Sequence, residues 1–355
     1  MDSLPATQTA IIGLENGTLT IAKDVRLPKL QEDMILVKTK FVGLNPVDTK
    51  MVGRLVIPGA IVGTDFAGHV VAIGSKALCP GVKIGDRVAG VVQSSNPLQP
   101  DVGGFTEYIG ATGFVTMKIP DAMSFDEGAA IGSGIGTMGM ALFHSLDIPG
   151  YPTEPALKPK YVLVYGGSSA TGTMAIQLIK LCGLIPIATS SEKNFPLVES
   201  YGAEKVFDYH LPSCPDDIKS YTKNSLKFVV DCISEPETME FCYKCIGRAG
   251  GKYTALEPFP SWLDTKKTVK ADWVFGPMML GKKIGWPAPF EREADEELRK
   301  FSVKWFATAR QLLQEGKIRA HPLKSMPGGF PGVLEGMEIL RKKELSGVKL
   351  VYQVG

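Results

Sequence analysis

The run Tyr161-Val162-Leu163-Val164-Tyr165-Gly166-Gly167-Ser168-Ser169-Ala170-Thr171-Gly172-Thr173-Met174-Ala175-Ile176-Gln177 decides the fold, because it writes a whole strand-turn-helix unit in one stretch. Its apolar start reads as a strand, and the residues from Thr171 to Leu181 carry the spacing of a helix. The glycines between them let the backbone come close to a pyrophosphate, whose charge the exposed N–H groups at the helix start would bind. Against the pattern G-x-G-x-x-G, Gly167 and Gly172 fill the outer places and Ser169 stands where the middle glycine would be. A glycine turn that serves only backbone geometry is the plainer reading. The strand-turn-helix context favours a dinucleotide.

Working outward, the alternation continues. The pattern predicts a strand from Ile185 to Thr189, a helix from Phe195 to Tyr201, strands from Lys205 to Phe207 and from Phe228 to Ile233, a helix from Glu237 to Ile246 and a strand from Gly251 to Leu256. Apolar strands alternating with helices imply a parallel sheet covered on both faces, a Rossmann-like doubly wound domain of α/β class. Upstream, residues 8 to 115 read as short β segments between glycine turns: Thr9 to Ile12, Met34 to Val42, Ala67 to Ile73, Arg87 to Val92 and Thr106 to Ile109. That pattern implies an antiparallel, barrel-like domain. Asp126 to Leu146 has the length and apolar spacing of helices, and the prolines at 149, 152, 155 and 159 then force a surface loop. Downstream, an amphipathic helix from Glu296 to Glu315 precedes a closing strand from Lys349 to Val354, too remote from the βα series to continue it and free to return to the first domain.

The end of the second strand of the series decides which dinucleotide. An acidic residue there would accept the ribose hydroxyls of NAD. The chain instead reads Thr189-Ser190-Ser191-Glu192-Lys193-Asn194, where two serine hydroxyls and a lysine suit a 2′-phosphate. Glu192 argues the other way, although Ser191 as a helix cap and Glu192 as a first-turn acid give it a plain structural role. NADP is the favoured cofactor.

Composition narrows the classes. Lys and Arg number 39 against 37 Asp and Glu, a formal net charge of +2, so no global field gathers nucleic acid or an anionic membrane. No stretch approaches the roughly 18 uninterrupted apolar residues of a membrane helix. Met1-Asp2-Ser3-Leu4-Pro5 lacks a basic leader, and Val351 to Gly355 carries no address signal, so the expected compartment is the cytoplasm. The six cysteines are read as thiols, and the lone C-x-x-C of Cys242 and Cys245 as two small buried side chains. The four histidines, at 69, 144, 210 and 321, share no close spacing, so no metal is expected and substrate polarisation falls to lysines, tyrosines and hydroxyls. Nothing advertises a dimer interface, and a monomer is expected.

Three runs then carry a family resemblance: Gly43-Leu44-Asn45-Pro46-Val47-Asp48-Thr49-Lys50, Gly63-Thr64-Asp65-Phe66-Ala67-Gly68-His69-Val70 and Val82-Lys83-Ile84-Gly85-Asp86-Arg87-Val88. They resemble the medium-chain dehydrogenase/reductase superfamily. Zinc alcohol dehydrogenases would have a cysteine in the first run and a His-Glu pair in the second; this chain has neither and fits the zinc-free branch. Tyr165-Gly166-Gly167-Ser168, Ser190-Ser191, Phe207-Asp208-Tyr209, Arg248-Ala249-Gly250-Gly251 and Glu344-Leu345-Ser346-Gly347 resemble the fungal trans-acting enoyl reductases. The likeness covers nearly the whole chain.

The resemblance implies a GroES-like β-barrel catalytic domain over residues 1–130, completed by 286–355, and a Rossmann domain over 131–285. It implies NADPH-dependent reduction of the α,β-double bond of a polyketide chain held as a thioester on an acyl carrier protein. The partner would be a highly reducing polyketide synthase or a synthase–peptide synthetase hybrid. NADPH would contact Val47, Asp48, Thr49 and Lys50, then Ser168, Ser169, Ala170 and Thr171, then Ser191, Glu192, Lys193, Asn194 and Tyr209. Leu256, Glu257, Ser346 and Gly347 would complete that cradle, with Glu257 a mild departure from the family pattern. Substrate would lie along Thr137, Met138, Gly139, Met140, Ala141, Leu142, Phe143 and His144, and along Gly276, Pro277, Met278, Met279 and Leu280.

Hydride delivery to the β-carbon of an enoyl thioester pushes negative charge onto the thioester oxygen, which calls for a cation or donor there. Lys50 is the candidate, and Thr137, at the start of a helix expected from Met138 to Leu146, could position the nicotinamide or the carbonyl. The plainer alternatives are a solvated lysine and a helix cap. Asp65, in the place of a zinc-site acid, is expected to hold a cation or a backbone amide as structural support. Two competing readings of the chain remain open: a quinone or enone reductase acting on free small molecules, and an NADP-binding protein without turnover.

Overall fold

The structure, a computed structural model, describes residues 4–355, so the part of the leader reading that rests on Met1, Asp2 and Ser3 lies outside the described residues. The chain divides into two compact units, one running to Gly136 and resumed over Pro277–Gly355, the other spanning Thr137–Gly276. The expected joints were 130/131 and 285/286. The chain instead passes between units inside the helix Gly132–Gly139 and the 3-10 turn Gly276–Leu280. The helix start belongs with the first unit because Asp65 holds it: the Ser133 N–H and hydroxyl donate to Asp65 Oδ1 at 2.6 and 2.7 Å. A side chain at Gly132 would strike the carbonyl of Gly90.

In the second unit a six-stranded sheet has the order Lys205–Asp208, Ile185–Ser190, Tyr161–Tyr165, Phe228–Asp231, Gly251–Ala255, Val269–Trp273. Every neighbouring pair is parallel. In chain order this is 3-2-1-4-5-6, the doubly wound arrangement. Two of its elements were not anticipated. The helix Cys214–Tyr221 buries only Cys214 and Ile218, too little for a periodic signal. The sixth strand, Val269–Trp273, lies at the sheet edge and alternates apolar with polar residues instead of forming a buried run. Cys242 and Cys245 pack in the core of this unit with Leu163, Val229, Met239 and Tyr253, and burial pushes both thiols up, as small apolar fillers require.

The first unit is built on a seven-stranded sheet. Its main path runs Leu323–Met326, Lys349–Gln353, Met34–Gly43, Asp65–Ile73, Arg87–Val91, Thr116–Lys118, and Tyr108–Thr112 pairs with Met34–Gly43. The closing strand thus returns to the first domain, antiparallel to Met34–Gly43. Strands Thr7–Gly13 and Leu19–Arg26 form a separate pair. The strand expected from Thr106 to Ile109 lies slightly later, because Thr106 makes only an isolated bridge to Ala10.

Helical spacing between Asp126 and Leu146 resolves into three pieces: Phe125–Ala129, Gly132–Gly139 and a π-helical turn over Met140–Ser145. Thr137 therefore sits inside a helix and does not cap one. The end of the π turn is pinned, with the Ser145 hydroxyl 2.8 Å from Thr254 Oγ1 and 2.7 Å from Asp272 Oδ2. Among the described residues no helix is long and apolar enough to cross a membrane.

The helix Glu296–Gln314 anchors the first unit through Trp305, which is 1% exposed and donates its indole N–H to the Ile135 carbonyl at 2.9 Å. Trp305→Ala removes the largest side chain of that core, and denaturant unfolding should show a loss of about 3–5 kcal/mol.

Candidate functional site

The carboxyl edge of the parallel sheet gathers the turns that could meet a dinucleotide. The first and fourth strands are neighbours there, so the chain leaves them in opposite directions and opens a crevice. After Tyr165, Gly166 takes φ +78°, a conformation glycine tolerates, and its N–H meets Thr189 Oγ1 at 3.2 Å. The Gly167 N–H donates to the Thr189 carbonyl at 2.9 Å, and a Cβ at Gly167 would lie 2.7 Å from Ala188 Cβ. That position accepts no side chain.

Ser169 caps the helix Ala170–Leu181, its hydroxyl accepting the Gly172 N–H at 3.0 Å. The next open donors are the N–H groups of Ala170 and Thr171, first-turn positions with no partner within their own helix, on half-buried residues. Ser169, expected among the cofactor contacts, uses its side chain for the cap. The absence of side chains at Gly167 and Gly172 lets the turn pack against Ala188 and against its own backbone at Gly166, which brings the start of the helix close onto the strand end.

The second and third strands end in register, with Ser190 opposite Asp208. That brings the 3-10 turn Glu192–Asn194 and Tyr209 to one end of the edge. Ser191 Oγ accepts from Asn194 Nδ2 at 3.2 Å, while Glu192 and Lys193 are exposed. Tyr209 is 39% exposed and its ring lies 4.1 Å, centroid to centroid, from that of His210. Exposed cation, serine hydroxyls and aromatic face thus stand at the carboxyl ends of the second and third strands.

Sequence reasoning passed over the turn after the fourth strand. Asp231, buried, accepts from the N–H groups of Ile233 and Ser234, from the Thr238 hydroxyl at 2.6 Å and from the Tyr253 hydroxyl at 3.0 Å. Burial raises its carboxyl against the lowering effect of those donors. Ser234 is held at φ 64° and its hydroxyl accepts the Leu256 N–H at 2.7 Å, stitching the fourth-strand turn to the fifth. Leu256 and Glu257 are half-buried beside it. The Cys232 thiol is raised to about 12 by burial, partly offset by hydrogen bonds with Thr171 and Ser169. The available signal was Ser234-Glu235-Pro236 after an apolar strand, a cap sequence at a strand's carboxyl end.

In the first unit the expected residues stand on the helix Pro46–Lys50. Lys50 ends it and is exposed; Val47 and Thr49 are half-buried. The Asp48 side chain turns into the core, where Oδ2 accepts the Asn45 N–H at 2.8 Å and Oδ1 accepts the Thr64 hydroxyl at 3.1 Å. Burial, offset by these bonds, raises Asp48 to about 7. Asp65 holds both a cation and a backbone amide: Lys349 Nζ lies 2.5 Å from Oδ2, and the Ser133 N–H donates to Oδ1. Ser346 is exposed, and Gly347 takes φ 69° in the loop before Lys349.

Of the stretch expected along the substrate, Met138, Gly139, Met140, Ala141 and Leu142 are buried. Thr137 and Phe143 are half-buried and His144 is exposed. The Phe143 ring packs edge-on against Tyr151 at 4.9 Å. In the other segment Gly276, Pro277 and Met278 are half-buried, whereas Met279 and Leu280 are buried, Met279 lying against Gly136.

Residues 170–255 match the zinc-binding dehydrogenase family, and residues 31–121 the alcohol dehydrogenase GroES-like domain. The residues present do not fit a zinc ion: Asp65 spends both oxygens on Ser133, Asn45 and the Lys349 ammonium, and Asn45 is an amide. The chain is 58% identical to the trans-enoyl reductase FSL5 of Gibberella zeae over 355 residues, covering all of this chain and 99% of that protein. It is 51% identical to a trans-enoyl reductase of Gibberella fujikuroi, over 98% of each. The fold is similar to that of the CurK enoyl reductase, with a TM-score of 0.77 at 16% identity over 98% of this chain and 99% of the other. An alcohol dehydrogenase superfamily protein of Novosphingobium aromaticivorans gives 0.78 at 20% identity, over 98% and 100%.

Asp48 supplies a pH test. An acid whose folded value is raised gives stability that is complete below its unfolded value and is lost as pH rises through the folded one, here between about 4 and about 7. Asp48→Asn cannot ionise. Its melting temperature relative to the parent should therefore move upward between about pH 5 and about pH 8, read by calorimetry.

Proposed function

Because the chain belongs to the trans-enoyl reductase family, we propose that it reduces the α,β-double bond of a polyketide enoyl thioester, presented by the carrier protein of a highly reducing polyketide synthase or a synthase–peptide synthetase hybrid. What carries the reading is the full-length 58% identity to a trans-enoyl reductase. The strand order and the glycine turn, which packs the start of the helix Ala170–Leu181 closely onto the end of the first strand, support it. Family membership implies a nicotinamide cofactor; the proposed form is NADPH, the protein acting as a monomer in the cytoplasm.

When bound, the cofactor supplies the hydride. The chain's own residues do the rest. Open N–H groups at Ala170 and Thr171 and the dipole of the helix Ala170–Leu181 favour the pyrophosphate. Lys193 and the Ser191 hydroxyl favour a 2′-phosphate over a free ribose hydroxyl. The Lys50 ammonium meets the charge that grows on the thioester oxygen, and Thr137, a half-buried hydroxyl, orients the carbonyl. Leu256, whose N–H is held by the Ser234 hydroxyl, with Glu257 beside it, and Ser346 and Gly347 are the further proposed contacts of the cofactor.

Titration with each coenzyme should show NADPH binding more tightly than NADH, and Lys193→Ala should shrink that preference by about tenfold. Equal binding of the two by the parent protein would overturn the NADPH reading. Incubation with NADPH and a diffusible enoyl thioester should add about two daltons to the product, and Lys50→Ala should lower kcat by about 100-fold with its melting transition retained. Near-native turnover by that variant would remove Lys50 from the chemistry.

A further inference from the structure

Below the helix Pro46–Lys50 lies a closed set of polar side chains that the proposed chemistry does not use. Lys349 Nζ donates to Asp65 Oδ2 at 2.5 Å and to Asn45 Oδ1 at 2.9 Å. Asn45 Nδ2 donates in turn to Asp65 Oδ2 at 2.9 Å and to Thr64 Oγ1 at 3.0 Å. The Thr64 hydroxyl donates to Asp48 Oδ1, and Asp48 Oδ2 accepts the Asn45 backbone N–H, which closes the set. Asp48, Asp65 and Lys349 are all buried. Asn45, the cap residue of the helix, touches each of the other members: Lys349, Asp65, Thr64 and Asp48.

A helix of five residues has no stability of its own, so its direction is set by what holds its ends. At the amino end the holding group is the Asn45 amide, clamped between an ammonium on its oxygen and three acceptors around its nitrogen, Thr64, Asp65 and, at 3.4 Å, Ser133. An ammonium buried against a carboxylate is a poor device for stability alone, since apolar residues of similar volume often serve as well; it is suited to fixing one arrangement. Lys349 comes from the last strand, 304 residues from Asn45 in the chain, so its contact is a commitment of the fold and not of the local loop.

We propose that Lys349 is a positioning residue for the reduction: by holding the Asn45 amide and the Asp65 carboxylate together it aims the helix Pro46–Lys50, and with it the Lys50 ammonium, at the thioester oxygen. The inference rests on the proposed role of Lys50. It assigns Lys349 no contact with substrate or cofactor.

A double-mutant cycle tests it, with kcat and both KM values measured for the parent, Lys50→Ala, Lys349→Met and the double variant on a diffusible enoyl thioester. Lys349→Met should lower kcat by about 10- to 100-fold while leaving KM for NADPH within about twofold, as a misaimed group does. In the Lys50→Ala background the same substitution should cost less than about threefold more, because the aimed group is already gone. Should Lys349→Met fail to fold with Asp65 left unpaired, Asp65→Asn/Lys349→Met removes both charges and takes its place in the cycle. Full multiplication of the two defects, or an unchanged kcat in the Lys349 variants, overturns the positioning role alone. Near-native turnover by Lys50→Ala overturns the reading beneath it.

Discussion

A carboxylate with no exposed surface, Asp65, faces an ammonium that is itself buried, at 2.5 Å, and much of the first unit is arranged so that this pair can exist. Taking two such charges out of water costs several kcal/mol per ion, and their attraction repays it only when the remaining hydrogen-bonding capacity is also used. Here it is used. Asp65 receives the Lys349 ammonium, the Asn45 amide, and both the N–H and the hydroxyl of Ser133. Once formed, the pair cannot lose one member cheaply, and that converts an electrostatic contact into a constraint on backbone.

The constraint joins parts far apart in the chain. Asp65 opens the strand Asp65–Ile73, Lys349 opens the closing strand, Asn45 caps the helix Pro46–Lys50, and Ser133 lies at the start of the helix Gly132–Gly139. The backbones must then approach closely. A side chain at Gly43 would strike the Ala129 carbonyl, and one at Gly336 would strike the Tyr352 hydroxyl, which itself lies on the closing strand. Closing the sheet and seating the ion pair are one packing event, and it fixes the helix that presents Lys50.

Much of this molecule was legible in its sequence, and the part that was not has a common cause. The nucleotide edge is written locally: Gly166, Gly167 and Ser169 act within a few residues of one another, and buried parallel strands announce themselves as apolar runs. The edge strand Val269–Trp273 escaped because it is only half-buried, and the helix start at Gly132 because its capping acid lies 68 residues from Ser133 in the chain. Asp65 was readable as structural support, but nothing near it in the chain named Lys349 as its partner. Thr137 was placed at the start of a helix from Met138 to Leu146 for the same reason: the start at Gly132 is set from far away in the chain.

Charge balance links the buried set to chemistry. Lys349 and Asp65 cancel, and His321, lowered to about 4 by burial and by the Lys349 charge, is neutral at physiological pH. The remaining member is Asp48, two residues before Lys50 on the same helix. Ionised, it would set a negative charge close behind the ammonium that is proposed to meet a growing anion, and weaken it. Burial raises Asp48 to about 7, so that charge is about half present at neutral pH and small only well below it, while its oxygens still accept from the Asn45 N–H and the Thr64 hydroxyl. The charge behind the lysine is therefore shed as pH falls below about 7, and the field at the exposed end of Pro46–Lys50 then passes to the ammonium.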